Sequence, residues 1–332
     1  MKAFFSLFVV SLFCALSHVS QAQDKWVTYQ GQEGPGKGKH VVLISGDEEY
    51  RSEEALPMLG KLLAVRHGFT CTVLFSQDLE TGEIDPNNQT NIPGMHLLKD
   101  ADLVILGLRF RELPDQDMQH FENYLKSGKP FIALRTSTHA FNYSRQKDSP
   151  FARYSFNAGG EWKGGFGQHV LGETWVSHHG GHGRESTRGI VRHEYAGHPI
   201  LKGVQDVWGP TDVYGVVHLP DDAKVLMDGQ VLTGMKPNDP PKPDTTTMPL
   251  VWVREFPSPG GHNKILCTTM GASVDFESAG LRRLIVNGAY WATGLENKIT
   301  GDANVEPVGE YKPTFFGFNK FTKGVKVSDH KL

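Results

Sequence analysis

Short apolar runs alternate with amphipathic stretches through the first half of the chain. His40–Ser45, Phe69–Phe75, Asp102–Leu108 and Pro130–Leu134 read as buried strands. Between them, Ser52 to His67 carries Leu56, Leu59, Leu62 and Leu63 at helical spacing, with Ser52 as N-cap and Gly68 as stop. Pro114–Lys126 is a second helix. Strand–helix–strand units of this length imply right-handed crossovers and a parallel sheet with helices on both faces. Beyond Phe141 the pattern changes. Residues 141–192 are rich in Gly, His, Ser and Arg, and so long a structureless insertion in a compact domain is usually functional. Thr211–Met227 carries two short strands and Lys236–Met248 is a proline-rich surface loop. Strands at Leu250–Phe256 and Lys264–Thr269 precede a helix over Ser278–Ala292, which Gly294 ends. Residues 296–332 show no regular period, but Tyr311, Phe315, Phe316, Phe318 and Phe321 give that tail apolar grip on a domain. No internal repeat is present.

The N-terminus changes the picture of where the chain works. Lys2, the apolar stretch Phe4–Leu16 and the small residues around Ser20-Gln21-Ala22 read as a secretory signal over residues 1–22. The apolar stretch is shorter than the ~20 residues that span a bilayer. Cys14 follows Phe13 rather than a small residue, which argues against a lipid anchor. The mature chain is expected to begin near Gln23 with an extension to residue 39, and to be periplasmic or extracellular, with no membrane span. It keeps Cys71 and Cys267, both inside strand-like runs, where thiols are usually inert core residues. The formal charge of −3 comes with no basic stripe, so nucleic acid is not an expected partner.

Four chemically loaded clusters each follow a strand-like run: Asp47-Glu48-Glu49, Arg109-Phe110-Arg111, Arg135 to His139, and Met270 to Asp275. In an open parallel sheet the carboxyl ends of the strands share one edge, where the binding crevice lies. Asp47 and Glu48 are candidates to orient a ligand hydroxyl or a metal, against the alternative of charges complementing a helix dipole. Arg109 and Arg135 are candidate anchors or electrophiles, against the alternative of an ion-pair network closing the sheet end. His139 is the candidate acid or base, because imidazole titrates near neutral pH. Ser137 lacks the glycine-flanked turn of a strand–helix nucleophile. The block Trp175 to Ser186 holds His178, His179 and His182. Metal binding, substrate hydrogen bonding and loop packing all remain open for it. A metal there would take imidazole and carboxylate rather than cysteine, suiting zinc or manganese more than calcium.

The set Arg135-Thr136-Ser137-Thr138-His139-Ala140-Phe141, His198 to Val204, Thr211-Asp212-Val213-Tyr214, Pro249 to Val253, Cys267 to Gly271 and Asn287 to Ala292 resembles the trehalose-utilisation (ThuA-like) family, a branch of the class I glutamine-amidotransferase-like superfamily. The resemblance spans residues 40–295. It implies an α/β fold, a flavodoxin-like, doubly wound and mostly parallel sheet, followed by an irregular tail. It adds Glu49, His178, His179, Asp212 and Tyr214 beside Arg109 as ligand-binding candidates. The amidotransferase cysteine is missing at the strand end, where Arg135 to Ser137 stand, so glutamine hydrolysis by a Cys–His–Glu triad is not expected. Ala272 and Ser273 stand where many relatives carry a histidine after Gly271. The family's associations with disaccharides and keto-sugars imply acid/base chemistry on a small carbohydrate. A non-catalytic carbohydrate-binding or assembly module, with Trp162, Trp175 or Trp208 stacking on sugar rings, is the alternative.

Overall fold

The computed structural model describes residues 24–332, so the secretory-signal reading lies outside the described residues. Ten strands form one sheet: β1 (Trp26–Tyr29), β2 (His40–Gly46), β3 (Thr70–Phe75), β4 (Leu103–Leu108), β5 (Phe131–Leu134), β6 (Thr187–Val191), β7 (Trp208–Gly209), β8 (Lys224–Val231), β9 (Met248–Ser258) and β10 (Gly261–Thr268). The helices are α1 (Ser52–His67), α2 (Asp115–Lys126) and α3 (Ala279–Ala292). The sheet order is β1-β3-β2-β4-β5-β10-β9-β8-β6-β7.

The expectation of a mostly parallel sheet holds for one half only. β3, β2, β4, β5 and β10 run parallel, whereas β1 and the series β9, β8, β6, β7 pair antiparallel. For β9 and β10 the reason is loop length. Only Pro259 and Gly260 separate β9 from β10, and so short a link can only make a hairpin, since parallel neighbours need a crossover of a dozen or more residues. Three strands also escape the apolar pattern: β7 lies just before Thr211–Met227, where only the start of β8 is found in place of two short strands. β1 precedes the first apolar run, and β6 lies in the glycine-rich insertion with just Thr187 buried.

In the parallel half the strands are buried along nearly their whole length, and successive residues divide between two apolar clusters. Val41, Leu43, Leu103, Ile105 and Ile132 pack with α1 and α3, whereas Val42, Ile44, Val104, Leu106 and Phe131 pack with α2. Cys71 and Cys267 are free, buried, and members of different clusters. Among the described residues no helix is long and apolar enough to cross a membrane.

Capping of α1 differs from the sequence pattern. Arg51, at φ 58°, is the cap residue, and the Ser52 hydroxyl turns inward to Ser45 at 2.9 Å. Gly68 ends the helix in the left-handed conformation that favours glycine.

The tail from residue 296 is held less by aromatics than its sequence suggests. Phe316 is buried, but Phe315 and Phe318 are 46% and 51% exposed. Its grip comes instead from Ile299, Val305 and Val327 in the core, and from polar bonds. Tyr29 donates to the His330 carbonyl (2.8 Å), Arg282 to the Val305 carbonyl (2.6 Å), and His67 Nε2 faces the Asn304 carbonyl (2.9 Å). His330 stacks on Phe75 with ring centroids 5.1 Å apart.

Burial lowers His67 and His330 to about 4, so both are neutral in the folded protein at pH 7. A histidine depressed by folding contributes stability above its unfolded value of about 6.5, and that contribution is lost as pH falls towards 4. Melting temperature should therefore drop between pH 6.5 and pH 4, and His67→Gln should flatten that drop while lowering the melt at pH 7.5. Truncation after Leu295 should cost at least roughly 2 °C; thermal melts across pH of the three proteins measure both effects.

Candidate functional site

Strands β2, β4, β5 and β10 end side by side, and the segments that follow them meet. Two of the turns are held in left-handed backbone, at Phe110 (φ 52°) and Arg135 (φ 40°), a conformation costing about 1–3 kcal/mol at a non-glycine residue. The strained turn after β5 occupies the position of a strand-end nucleophile, but here it aims a guanidinium.

Both terminal nitrogens of that guanidinium are committed, while its Nε is buried without a hydrogen-bond partner among the described residues. Arg135 donates to the Thr269 carbonyl (2.7 Å), the Asp212 carbonyl (3.2 Å), the Tyr50 hydroxyl (3.2 Å) and Asp212 Oδ1 (3.0 Å). The rings of Tyr50 and Tyr214 sandwich it, each centroid 4.2 Å from the guanidinium carbon. Arg135 thus positions Asp212 and is not a free anchor for ligand. Asp212 is inaccessible, and its carboxyl stays well below the usual range: burial opposes ionisation, but bonds from His178 and His182 and the charge of Arg135 outweigh it.

Asp47 is equally occupied. Oδ1 accepts the Glu49 and Tyr50 amides, at 2.8 and 3.0 Å, and Oδ2 accepts the Thr136 hydroxyl. It shapes the turn after β2. Glu48 bridges Arg109 (2.5 Å) and Arg111 (2.7 Å), and burial raises its carboxyl against the pull of both guanidiniums. This is the ion-pair network that closes the sheet end. Glu49 differs, because its carboxylate faces outward to His182 Nε2 (3.3 Å) and Arg109 Nε (3.7 Å).

The histidine-rich insertion lies on this edge. The amides of His179 and Gly180 both donate to the Val213 carbonyl (2.8 and 3.0 Å), clamping the loop to the segment that carries Asp212. His178 Nδ1 then lies 2.7 Å from Asp212 Oδ2, and His182 Nδ1 lies 3.1 Å from Asp212 Oδ1. The two imidazole side chains remain 39% and 37% exposed, so this is where the cluster meets solvent. Bonds to Asp212 and then Glu49 raise His182 to about 9. His179, by contrast, turns away to the Thr246 carbonyl (2.7 Å).

His139 is placed at the same edge but in a different role. It is buried against Phe110, Trp175, Tyr214 and Phe156, with Nδ1 3.1 Å from the Thr138 hydroxyl. Among the described residues no carboxylate bonds its ring. Burial, together with the charges of Arg109 and Arg135, holds it well below the usual histidine range, as a neutral imidazole. Tyr214 pairs edge-on with Trp175, centroids 4.7 Å apart. Trp162 packs on Tyr154 and Trp208 donates to Ser186, so Trp175 alone of the three tryptophans borders the cluster.

Sequence reasoning missed the tail's part in the site. Phe316 covers Tyr50 and His182, at 5.2 and 5.4 Å, and Phe318 lies over Arg109 at 5.0 Å. The Gly317 amide donates to the Glu49 carbonyl (2.8 Å), and Arg51 donates to the Gly317 carbonyl. His182, rather than His179, and Tyr50 were the other omissions. The only signal for Tyr50 was its place directly after the acid cluster. A cavity of about 380 Å³ is lined by Phe156, Lys163, Gln168, Thr174 and His218. Phe156 links it to the cluster through Phe110, with centroids 4.9 Å apart.

The class of fold is glutamine-amidotransferase-like, as family membership gives it, and Arg135 to Ser137 stand at the end of β5. Residues 40–292 match the family described as trehalose utilisation (ThuA), and the chain belongs to that family. Similar solved structures are a ThuA-like protein of Parabacteroides merdae and one of Bacteroides uniformis. The first is 16% identical, with 86% of this chain and 98% of that chain covered and a TM-score of 0.49. The second is 14% identical, with 80% and 95% covered and a TM-score of 0.48. No protein of curated function matches the chain.

Because Arg135 and Asp212 are both buried, removing one strands the other. Arg135→Met should destabilise by about 3–5 kcal/mol, and Arg135→Met combined with Asp212→Asn by less than the sum of the singles. Urea denaturation of the four proteins measures the coupling, and additive losses would show that the pair does not act as a unit.

Proposed function

We propose that this protein acts on a small carbohydrate, a disaccharide or keto-sugar, by acid/base chemistry and without a covalent cysteine intermediate. The observation that carries this reading is the convergence of the part-exposed His178 and His182, with the buried Glu49 behind His182, on the buried Asp212–Arg135 pair. A polyol needs hydrogen-bonding groups of both signs together with aromatic faces for its apolar ring surfaces. Trp175 and Phe318 border the cluster and supply the faces, with Phe316 buried behind them. The cavity beyond Phe156 has room to take a second sugar ring. Removing a proton beside a ketone requires a base and a charge facing the carbonyl oxygen. The imidazole–carboxylate rim and Arg109 answer to those two needs. His139, neutral and enclosed, shapes the wall behind Trp175 in this reading.

Family membership supports a role related to trehalose utilisation. The leader-like residues 1–22 support an exported location, and the division of strand residues between α1/α3 and α2 supports a doubly wound parallel half. Residues 40–295 are taken as the working domain, with 296–332 laid over its ligand edge.

Incubation with a panel of disaccharides and their 3-keto derivatives, followed by chromatography, is the test. Turnover of at least one keto-sugar is expected, falling by about 100-fold or more in His178→Ala. Binding of sugars by calorimetry without any turnover would favour the binding-module alternative, and neither binding nor turnover across the panel would defeat the proposal.

A further inference from the structure

We propose that His178, His182 and Asp212 hold a divalent first-row transition-metal ion of the zinc class, with coordination positions left open on the solvent side. The inference rests on reading this cluster as the ligand edge and names what completes it.

Geometry is the first argument. One ligand atom from each of the three residues falls within 4.8 Å of the others. Both Nδ1 atoms point at the same carboxylate, at 2.7 and 3.1 Å. Donors bound at 2.0–2.2 Å around a tetrahedral ion stand roughly 3.3–3.6 Å apart, so side-chain adjustments on the order of an ångström seat it. The second argument is the outer shell. A metal-bound histidine almost always gives its other ring N–H to a carboxylate or carbonyl, which fixes the ring and raises its basicity. His182 does this, with Nε2 3.3 Å from Glu49 while Nδ1 faces Asp212. Asp212 is oriented in turn by Arg135.

The third argument is the backbone. His178 and His182 are not on a helix, and the clamp of His179 and Gly180 on Val213 brings their ring centroids to 4.8 Å. Two imidazoles that close, aimed at one carboxylate, crowd their protons, whereas a single cation satisfies all three groups. Two nitrogens and one oxygen suit zinc, manganese or iron(II) rather than calcium, whose ligands are oxygens. Three protein ligands with exposed imidazoles match a reactive site rather than the closed four-ligand shell of a structural one. An oxygen of a sugar hydroxyl or carbonyl would take the open position.

The test uses the full chain purified without a histidine tag. Elemental mass spectrometry should find about one zinc per chain after dialysis against zinc followed by buffer. Zinc titration of the chelator-treated protein by calorimetry should give a single site. Affinity should fall at least tenfold in His182→Ala and in Asp212→Asn, and less in Glu49→Gln, while His179→Ala binds as the parent does. Circular dichroism checks that each variant is folded. If Asp212→Asn fails to fold, His178→Ala replaces it, because that side chain is partly exposed whereas Asp212 is fully buried. No zinc and no titration heat overturns the site, as does zinc retained unchanged in His178→Ala and His182→Ala. One zinc with no carbohydrate response leaves the metal site standing and removes the function proposed above. Turnover by a zinc-free protein does the reverse.

Discussion

The buried pair of Arg135 and Asp212 is the constraint on which the site depends. A guanidinium taken out of water must find partners for its donors, and the terminal nitrogens of Arg135 find them on three different stretches of chain: the turn after β2 (Tyr50), the end of β10 (Thr269) and the loop after β7, which supplies Asp212 and, by stacking, Tyr214. Because Arg135 itself sits on a left-handed turn at the end of β5, the cost of that backbone is borne by the same contacts. Loss of either charge would therefore disturb the whole edge and not one bond.

Around that pair the edge sorts into two layers. The inner layer consists of groups whose hydrogen-bonding capacity is used within the fold: Asp47 in its turn, Glu48 between two arginines, Asp275 under Thr211 and the Gly271 and Ala272 amides. Burial raises Asp275 in spite of Arg135, as expected of an enclosed carboxyl. The outer layer is Glu49, His178 and His182, whose polar atoms meet solvent or each other. The inner layer holds the outer one in place.

The tail links stability to this edge. The chain after α3 runs back past His67 and Ser273 to reach Glu49 and Tyr50, then continues to Phe75 and Tyr29. Residues that look like an appendage in the sequence thus cover both the N-terminal strand and the ligand side. The left-handed Arg51, which starts α1, donates to Gly317 of that tail, so the first helix and the tail share one anchor.

The sequence by itself determined the parallel half of the sheet, the three helices and the residues delivered to its carboxyl edge. Those features are local: apolar runs, helical spacing and stop signals are properties of neighbouring residues. It also marked the edge as chemically loaded, since Asp47, Glu48, Arg109, Arg135, His139 and Asp212 do meet there. What those groups do was decided only by tertiary structure, because a side chain's role depends on which partners use up its donors and acceptors. Arg135 and Asp47 turned inward, and His139 was closed in by aromatic rings. His182 replaced His179 because a backbone clamp on Val213, invisible in a glycine-rich sequence, set the direction of each ring. The antiparallel half, and the tail over the site, likewise arise from pairings between distant segments, which no periodicity within either segment encodes.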